Sequence, residues 1–268
     1  MAVFANTLVR GILIGGGYTL VALGFILIYK SSRILNFAQG YMVMLGAFIC
    51  YAFSTQFGLP LPLALLLSVG AGFAMGLAID RGMMRPLIGQ PILAAIVMTL
   101  ALTSVIDAIR LGIWGGYSKS LSFIPMESRQ IGLLRISDSL LICFIIAAIC
   151  VIIFMLFFRR SKLGLAMRGV SEDHVLAQCM GISVKRVFTI VWGISGVLST
   201  VAGILLGGAS AVNFDLALFG MTALAVALLG GLESIGGAMI AGLIIGIAES
   251  LSATYLSSLL PAISTIVP

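Results

Sequence analysis

Charge is what this chain has least of. Asp, Glu, Lys and Arg together make up 9% of its 268 residues, against about 25% in soluble domains. Too few charges are present to cover a water-facing surface of that size, which excludes a soluble fold. Histidine is nearly absent: His174 is the only one, so no paired-histidine metal site and no Ser-His type relay can be assembled. The four cysteines, Cys50, Cys143, Cys150 and Cys179, have no CxxC or CxxH spacing and give neither a disulfide framework nor a metal site. No Gly-Lys-Ser/Thr of a phosphate-binding loop occurs. If ATP drives this protein, another chain must bind it. No catalytic residue, metal or cofactor is expected.

What is there is apolar surface: 61% of residues are hydrophobic and mean hydropathy is +1.22. Lipid leaves only helices and closed barrels as spanning structures, because every backbone polar group must then be satisfied internally. A barrel needs dyad alternation over about ten residues. This chain instead has unbroken apolar runs near the roughly 20 residues that cross a bilayer as helix. Eight such segments are predicted, roughly 11–29, 36–54, 61–79, 91–109, 138–158, 188–211, 216–231 and 236–256. The fold class is an all-α, polytopic transmembrane bundle, with 1–268 as a single transmembrane domain. The first run is long and no small-residue cleavage site follows it, so no cleavable leader is expected.

The net charge of +6 is scattered between spans, which argues against nucleic acid and for the positive-inside rule. The stretch 159–187 holds Arg159, Arg160, Lys162, Arg168, Lys185 and Arg186 and is placed in the cytoplasm. Counting spans backward puts Lys30, Arg33, Arg81 and Arg85 on the same side. Arg10, Arg110, Lys119, Arg129 and Arg135 then lie outside, with the N-terminus and residues 257–268. Gly11 and Gly15, Gly72 and Gly76, Gly203 and Gly207, and Gly242 and Gly246 have the i, i+4 spacing that lets helix backbones approach closely in lipid.

Within 159–187 a short helix is predicted between Ser171, as N-cap, and Gly181, as the residue past its C-terminus. Glu172 and Asp173 suit its first turn. Val175, Leu176, Cys179 and Met180 give it an apolar face. Such a helix is too short to span, so its apolar face must lie on lipid or dock in a protein groove. Acids at its start suit a protein groove better than an anionic leaflet.

Polar residues inside spans are costly and are candidates for function. Glu249 lies deep in the last segment. Asn36 to Gly40 join the first two spans through polar residues and can support a helix break. Asn213 and Asp215 lie near the start of the seventh span, and Ser195 and Ser199 share one face of the sixth. Asn36, Gln39, Ser195, Asn213 and Glu249 are the candidate pathway residues.

These residues together resemble the permease subunits of ABC importers of the branched-chain amino acid type, the LivH-like subunit. Gly11, Gly15, Tyr18, Leu20, Ala22, Gly24, Ile28 and Tyr29 are similar to the family's first span, and Asn36, Phe37, Ala38 and Gly40 to the signature that follows. Arg85, Pro86, Leu87, Pro91 and Thr99 look like its loop into the fourth span. Ala177, Met180, Gly181 and Ile182 look like the coupling helix that contacts the ATPase. Gly230, Gly231, Leu232, Ser234, Ile235, Gly237, Ala238, Gly242, Gly246, Glu249 and Ser250 look like the C-terminal signature. Departures are Gln39 for a usual His, Tyr41 for a common acid, Lys30 for a frequent Gly, and Glu233 and Gly236 for a frequent Gly and Pro.

The resemblance implies a multi-pass subunit of the bacterial inner membrane that is not itself an enzyme. It implies a second, homologous permease subunit, two ATP-binding subunits and a periplasmic substrate-binding protein as partners, besides membrane lipid. Glu172, Leu176, Ala177, Met180 and Gly181 would carry ATPase coupling. The cargo would be a small polar solute: an amino acid, or a related amide or carboxylate. Family members usually continue through one more apolar helix, so the expectation is a chain cut short at its C-terminus. A secondary transporter would need several mid-membrane relay charges. A passive channel would conduct without ATP. An intramembrane enzyme would need a nucleophile and base, or a metal set.

Overall fold

The computed structural model describes residues 2–121, 128–131, 134–172 and 174–256. Each of the eight apolar segments overlaps one main helix, the second beginning in a non-helical stretch before its helix. The first is α1 (Ala2–Ser32), followed by α2 (Gln39–Tyr51), α3 (Leu61–Ile79) and α4 (Ile92–Trp114). A short antiparallel hairpin, β1 (Ser128–Ile131) with β2 (Leu134–Ser137), precedes α5 (Asp138–Arg160). Two short helices follow, α6 (Lys162–Glu172) and α7 (His174–Cys179). The chain then returns through α8 (Val184–Ala209), α9 (Asp215–Gly230) and α10 (Ile235–Leu251). The architecture is an all-α membrane bundle with one small hairpin between spans. Among the described residues six helices are long and apolar enough to cross a bilayer. α9 is shorter at 16 residues, and α2 has 13, about 20 Å at 1.5 Å per residue.

Burial divides the spans. The apolar window of α1 is 89% buried and that of α8 is 78% buried, against 17% for α5 and 22% for α4. With α2, almost wholly buried, α1 and α8 form the centre. α4 and α5 turn most of their surface outward, where Leu93, Val97, Ile149 and Ile152 stand exposed as lipid would require. An apolar helix has no hydrophobic reason to leave lipid, so the centre must be held by close packing. Gly11 and Gly15 of α1 lie against Gly242 and Gly246 of α10, and a Cβ at Gly11 would sit 2.7 Å from the Ile247 Cα. Gly72 and Gly76 bring α3 onto Thr200 and Trp192 of α8, and Gly203 brings α8 onto Val43 of α2. The glycine pairs of α1 and α10 are therefore backbone contacts between those two helices.

Two sequence expectations are corrected, the N-cap and the extent of the short helix. Ser171 is not an N-cap. It lies inside α6, whose buried stripe of Gly164, Met167 and Val170 keeps the helix running, and its hydroxyl donates to the Arg168 carbonyl. The predicted nine-residue helix is thus the end of α6 followed by the six residues of α7. Arg110, counted among the outside charges, belongs to a helix. It sits in the last turns of α4, 5% exposed, donating to Asp107 at 2.8 Å and to the Gly115 carbonyl at 3.1 Å. Asp173, the side chains of His174 and Val175, and residues 257–268 lie outside what the structure describes.

Candidate functional site

α1 does not run directly into α2. Residues 33–38 form a non-helical break, and its polar groups must find partners inside an apolar bundle. Asn36 closes the turn with its Oδ1 accepting from Ala38 N at 3.1 Å. Its amide donates to Gln39 Oε1, also at 3.1 Å. Gln39 is the hub. Its Nε2 donates to Ser199 Oγ at 2.9 Å, and its Oε1 accepts from Ser195 Oγ at 3.2 Å. Phe37 N donates to Thr99 Oγ1 of α4 at 3.3 Å. Asn36, Gln39, Thr99, Ser195 and Ser199 are all wholly buried. Ser195 and Ser199 lie near the middle of the 26-residue α8, so α2 begins level with that middle. Gly24 of α1 is what makes room: a Cβ there would collide with the Gln39 amide.

A second cluster gathers at the end of the bundle formed by the C-terminus of α1, the α3–α4 turn, α6–α7 and the α9–α10 turn. Arg33 follows α1 with a left-handed backbone, φ 58°, unusual for a residue other than glycine. Its guanidinium donates to Glu172 Oε1 at 3.2 Å and to Glu233 Oε1, and its Nε faces the Ser171 carbonyl at 3.4 Å. Lys30 Nζ donates to the Glu233 carbonyl at 2.9 Å. A hydrogen bond with Tyr29, reinforced by the fields of Glu233 and Glu172, raises the Arg33 pKa above its already high value. One cavity of about 340 Å³ opens on Arg33, Ser171, Glu172 and Gln90, and another of about 320 Å³ on Lys30, Arg168, Glu233 and Ser234.

Beside this cluster α7 presents its outer face. Leu176 and Met180 are 67% and 78% exposed, and Cys179 is an exposed free thiol. Ala177 points the other way and is buried. Gly181 stops the helix with φ 79°, and Ile182 N returns to the Ala177 carbonyl at 2.9 Å. This is the closing bond of a Schellman motif, which needs a left-handed residue at that place.

The remaining pathway candidates lie apart from Gln39. Asn213 donates to Asp215 at 2.7 Å in the turn before α9, next to the Lys119–Val212 backbone bridge. Glu249 is exposed on α10 and accepts from the Tyr18 hydroxyl of α1 at 2.5 Å. The structure thus joins Asn36, Gln39 and Ser195, and separates Asn213 and Glu249 from them.

Two features escaped the sequence reading. Tyr18 was seen only as a member of a span, not as the partner of Glu249. Asp80 is wholly buried in a π-helical turn (Asp80–Met84) after α3. It accepts from Arg85 at 3.1 Å and from Thr189 of α8 at 2.8 Å, while its Oδ1 has no partner. Asp and Arg five residues apart do not face each other on an α-helix, so only the wider turn brings them together.

Comparison with known proteins adds the family. The model of the branched-chain amino acid transport system permease component matches residues 7–268. The chain belongs to that family. It is similar to the high-affinity branched-chain amino acid transport system permease protein LivH of Escherichia coli, 29% identical over 95% of this chain and 88% of that one. The BraD permease protein of Pseudomonas aeruginosa is 30% identical, over 93% of this chain and 86% of its own. A probable LivH permease of Methanocaldococcus jannaschii is 33% identical, over 89% and 78%. No solved structure matches. The chain is a membrane-embedded transport permease component, a transport subunit by family rather than an enzyme.

Proposed function

We propose that this permease is one half of the translocation path of an ABC importer for a small polar solute, an amino acid of the branched-chain class first among them. The solute class follows that of its relatives, which are branched-chain amino acid permease proteins by name. ATP would be hydrolysed by two separate subunits, docked where α6 and α7 stand at the basic end of the bundle. That end faces the cytoplasm under the positive-inside rule, which puts the N-terminus on the periplasmic side of the inner membrane. A second homologous permease would complete the path, and a periplasmic binding protein would deliver the solute.

The observation that carries this reading is α7. Leu176 and Cys179 of the six-residue α7, with Met180 in the turn that follows, form an apolar exposed face at a charged end. An exposed apolar face at a polar end marks an interaction surface. Glu172 adds charge beside it. Ala177 and Gly181 serve from behind, one packing the helix against the bundle and the other turning the chain back into α8. In the path, Asn36, Gln39 and Ser195 form a closed joint between α2 and α8 that would hold one wall of the route in place. Asn213 and Glu249 would line the path nearer the opposite end.

Reconstitution with the neighbouring ATPase and binding-protein subunits tests this. Gly181→Arg forces a side chain onto a φ of 79° and displaces α7, so uptake should fall away while ATP hydrolysis continues. Normal uptake and normal solute-stimulated hydrolysis in that variant would sink the assignment of α6–α7.

A further inference from the structure

We infer that Arg33 is a positioning residue that carries movement of the α6–α7 segment to α1 and to the α9–α10 turn. The inference rests on the reading of α6–α7 as the ATPase-docking segment. A pull on that segment can do work in the membrane only where the segment touches elements that move with the spans. Arg33 makes that contact three ways: it directly follows α1, bonds Glu172 and the Ser171 carbonyl at the end of α6, and bonds Glu233 in the turn between α9 and α10. Those partners are 139 and 200 residues away in sequence. Lys30, one turn earlier, holds the same turn by the Glu233 carbonyl.

Stability does not explain the arrangement. The side chains of Arg33, Glu172 and Glu233 are 36%, 77% and 59% exposed, and exposed ion pairs contribute about 0–1 kcal/mol. Against that stands a non-glycine residue in the left-handed region, which costs about 1–2 kcal/mol. Strain at a position that returns so little stability points to function. The physical type also fits a part that must let go. Water-facing ion pairs re-form with little barrier, unlike the buried amide network around Gln39. Cavities of about 340 and 320 Å³ lie against the cluster, one bordered by Arg33 and Glu172 and the other by Lys30 and Glu233. They leave room for α6 and the α9–α10 turn to shift. The bridge further requires arginine: a planar fork can hold two carboxylates at once, whereas an ammonium acts as a single point charge.

The test is binding-protein stimulation of ATP hydrolysis by the whole complex in proteoliposomes. Arg33→Gln should cut the stimulation about tenfold, within the 5–150-fold range of ordinary coupling free energies. Complex assembly and melting temperature should stay at wild-type values. Arg33→Lys should remain defective, and reversing all three charges (R33E with E172R and E233R) should restore part of the stimulation. Wild-type stimulation in Arg33→Gln overturns the inference, as does full function in Arg33→Lys. Should Arg33→Gln fail to assemble, Glu233→Gln, in the α9–α10 turn and away from the docking face, carries the same expectation at an exposed position. A wild-type chain that binds no ATPase would defeat the docking reading itself. Stimulated wild-type with unaffected variants would defeat only the role of Arg33.

Discussion

The two polar clusters of this permease contain similar numbers of hydrogen bonds and opposite physics. Around Gln39 the groups are neutral, wholly buried and mutually satisfied. Around Arg33 they are charged and stand in water. A buried hydrogen bond is expensive to leave unmade, because the orphaned group cannot turn to solvent. An exposed ion pair costs little to break and is screened by salt. The first cluster therefore fixes where α2 starts against α8, and the second can open and close during turnover. The family relationship and the exposed face of α7 make that division useful: one joint to hold the path, one link to move it.

The contrast can be broken most severely at Gln39. Gln39→Ala leaves Asn36, Ser195 and Ser199 without that partner at zero exposure, at about 1–3 kcal/mol for each group left unmet. Detergent-solubilised protein should lose several kcal/mol of stability in thermal or denaturant unfolding, and folded yield should drop with it. Asp80→Asn comes next. It removes the charge that holds Arg85 and Thr189 and should cost about 1.5–3 kcal/mol, the range for hydrogen bonds to charged groups. Arg85 is partly exposed, so its own charge can return to water and the loss stays at that level. Gly242→Leu should follow at about 1–3 kcal/mol of overpacking, because a Cβ there meets the Gly15 carbonyl at 2.7 Å. Its melting temperature should drop without any change in salt dependence. Smallest is Glu172→Gln, whose unfolding free energy should stay within about 1 kcal/mol of wild type, measured beside the coupling assay it is expected to impair.

Much of this was legible in the sequence. All eight apolar segments became helices, because a run of apolar residues near membrane length has one stable outcome in lipid. The glycine pairs of α1 and α10 were readable as close contacts, although not as contacts with each other. Asn36 and Gln39 were readable as a break. Their partners were not, since Ser195 and Ser199 lie 156 and 160 residues further on and no local pattern carries that pairing. Ser171 misled because Ser followed by acids is a helix-start signal, and the tertiary contact of Met167 and Val170 overrode it. The roles proposed for Leu176, Met180 and Gly181 came from resemblance. The structure adds that Leu176 and Met180 face outward while Ala177 packs inward. Arg33 drew notice only as a cytoplasmic charge, because its three contacts come from elements that fold from distant parts of the chain.

The most direct test of the central claim, that α7 is where the ATPase docks, uses a probe the chain already carries. Cys179 is exposed on α7, while Cys50 and Cys143 are buried and Cys150 is partly buried within α5. A membrane-impermeant maleimide applied to inside-out vesicles should label Cys179 readily when the permease is alone and slowly when the ATPase subunits are bound. Equal labelling in both states, or labelling only in right-side-out vesicles, would contradict the account.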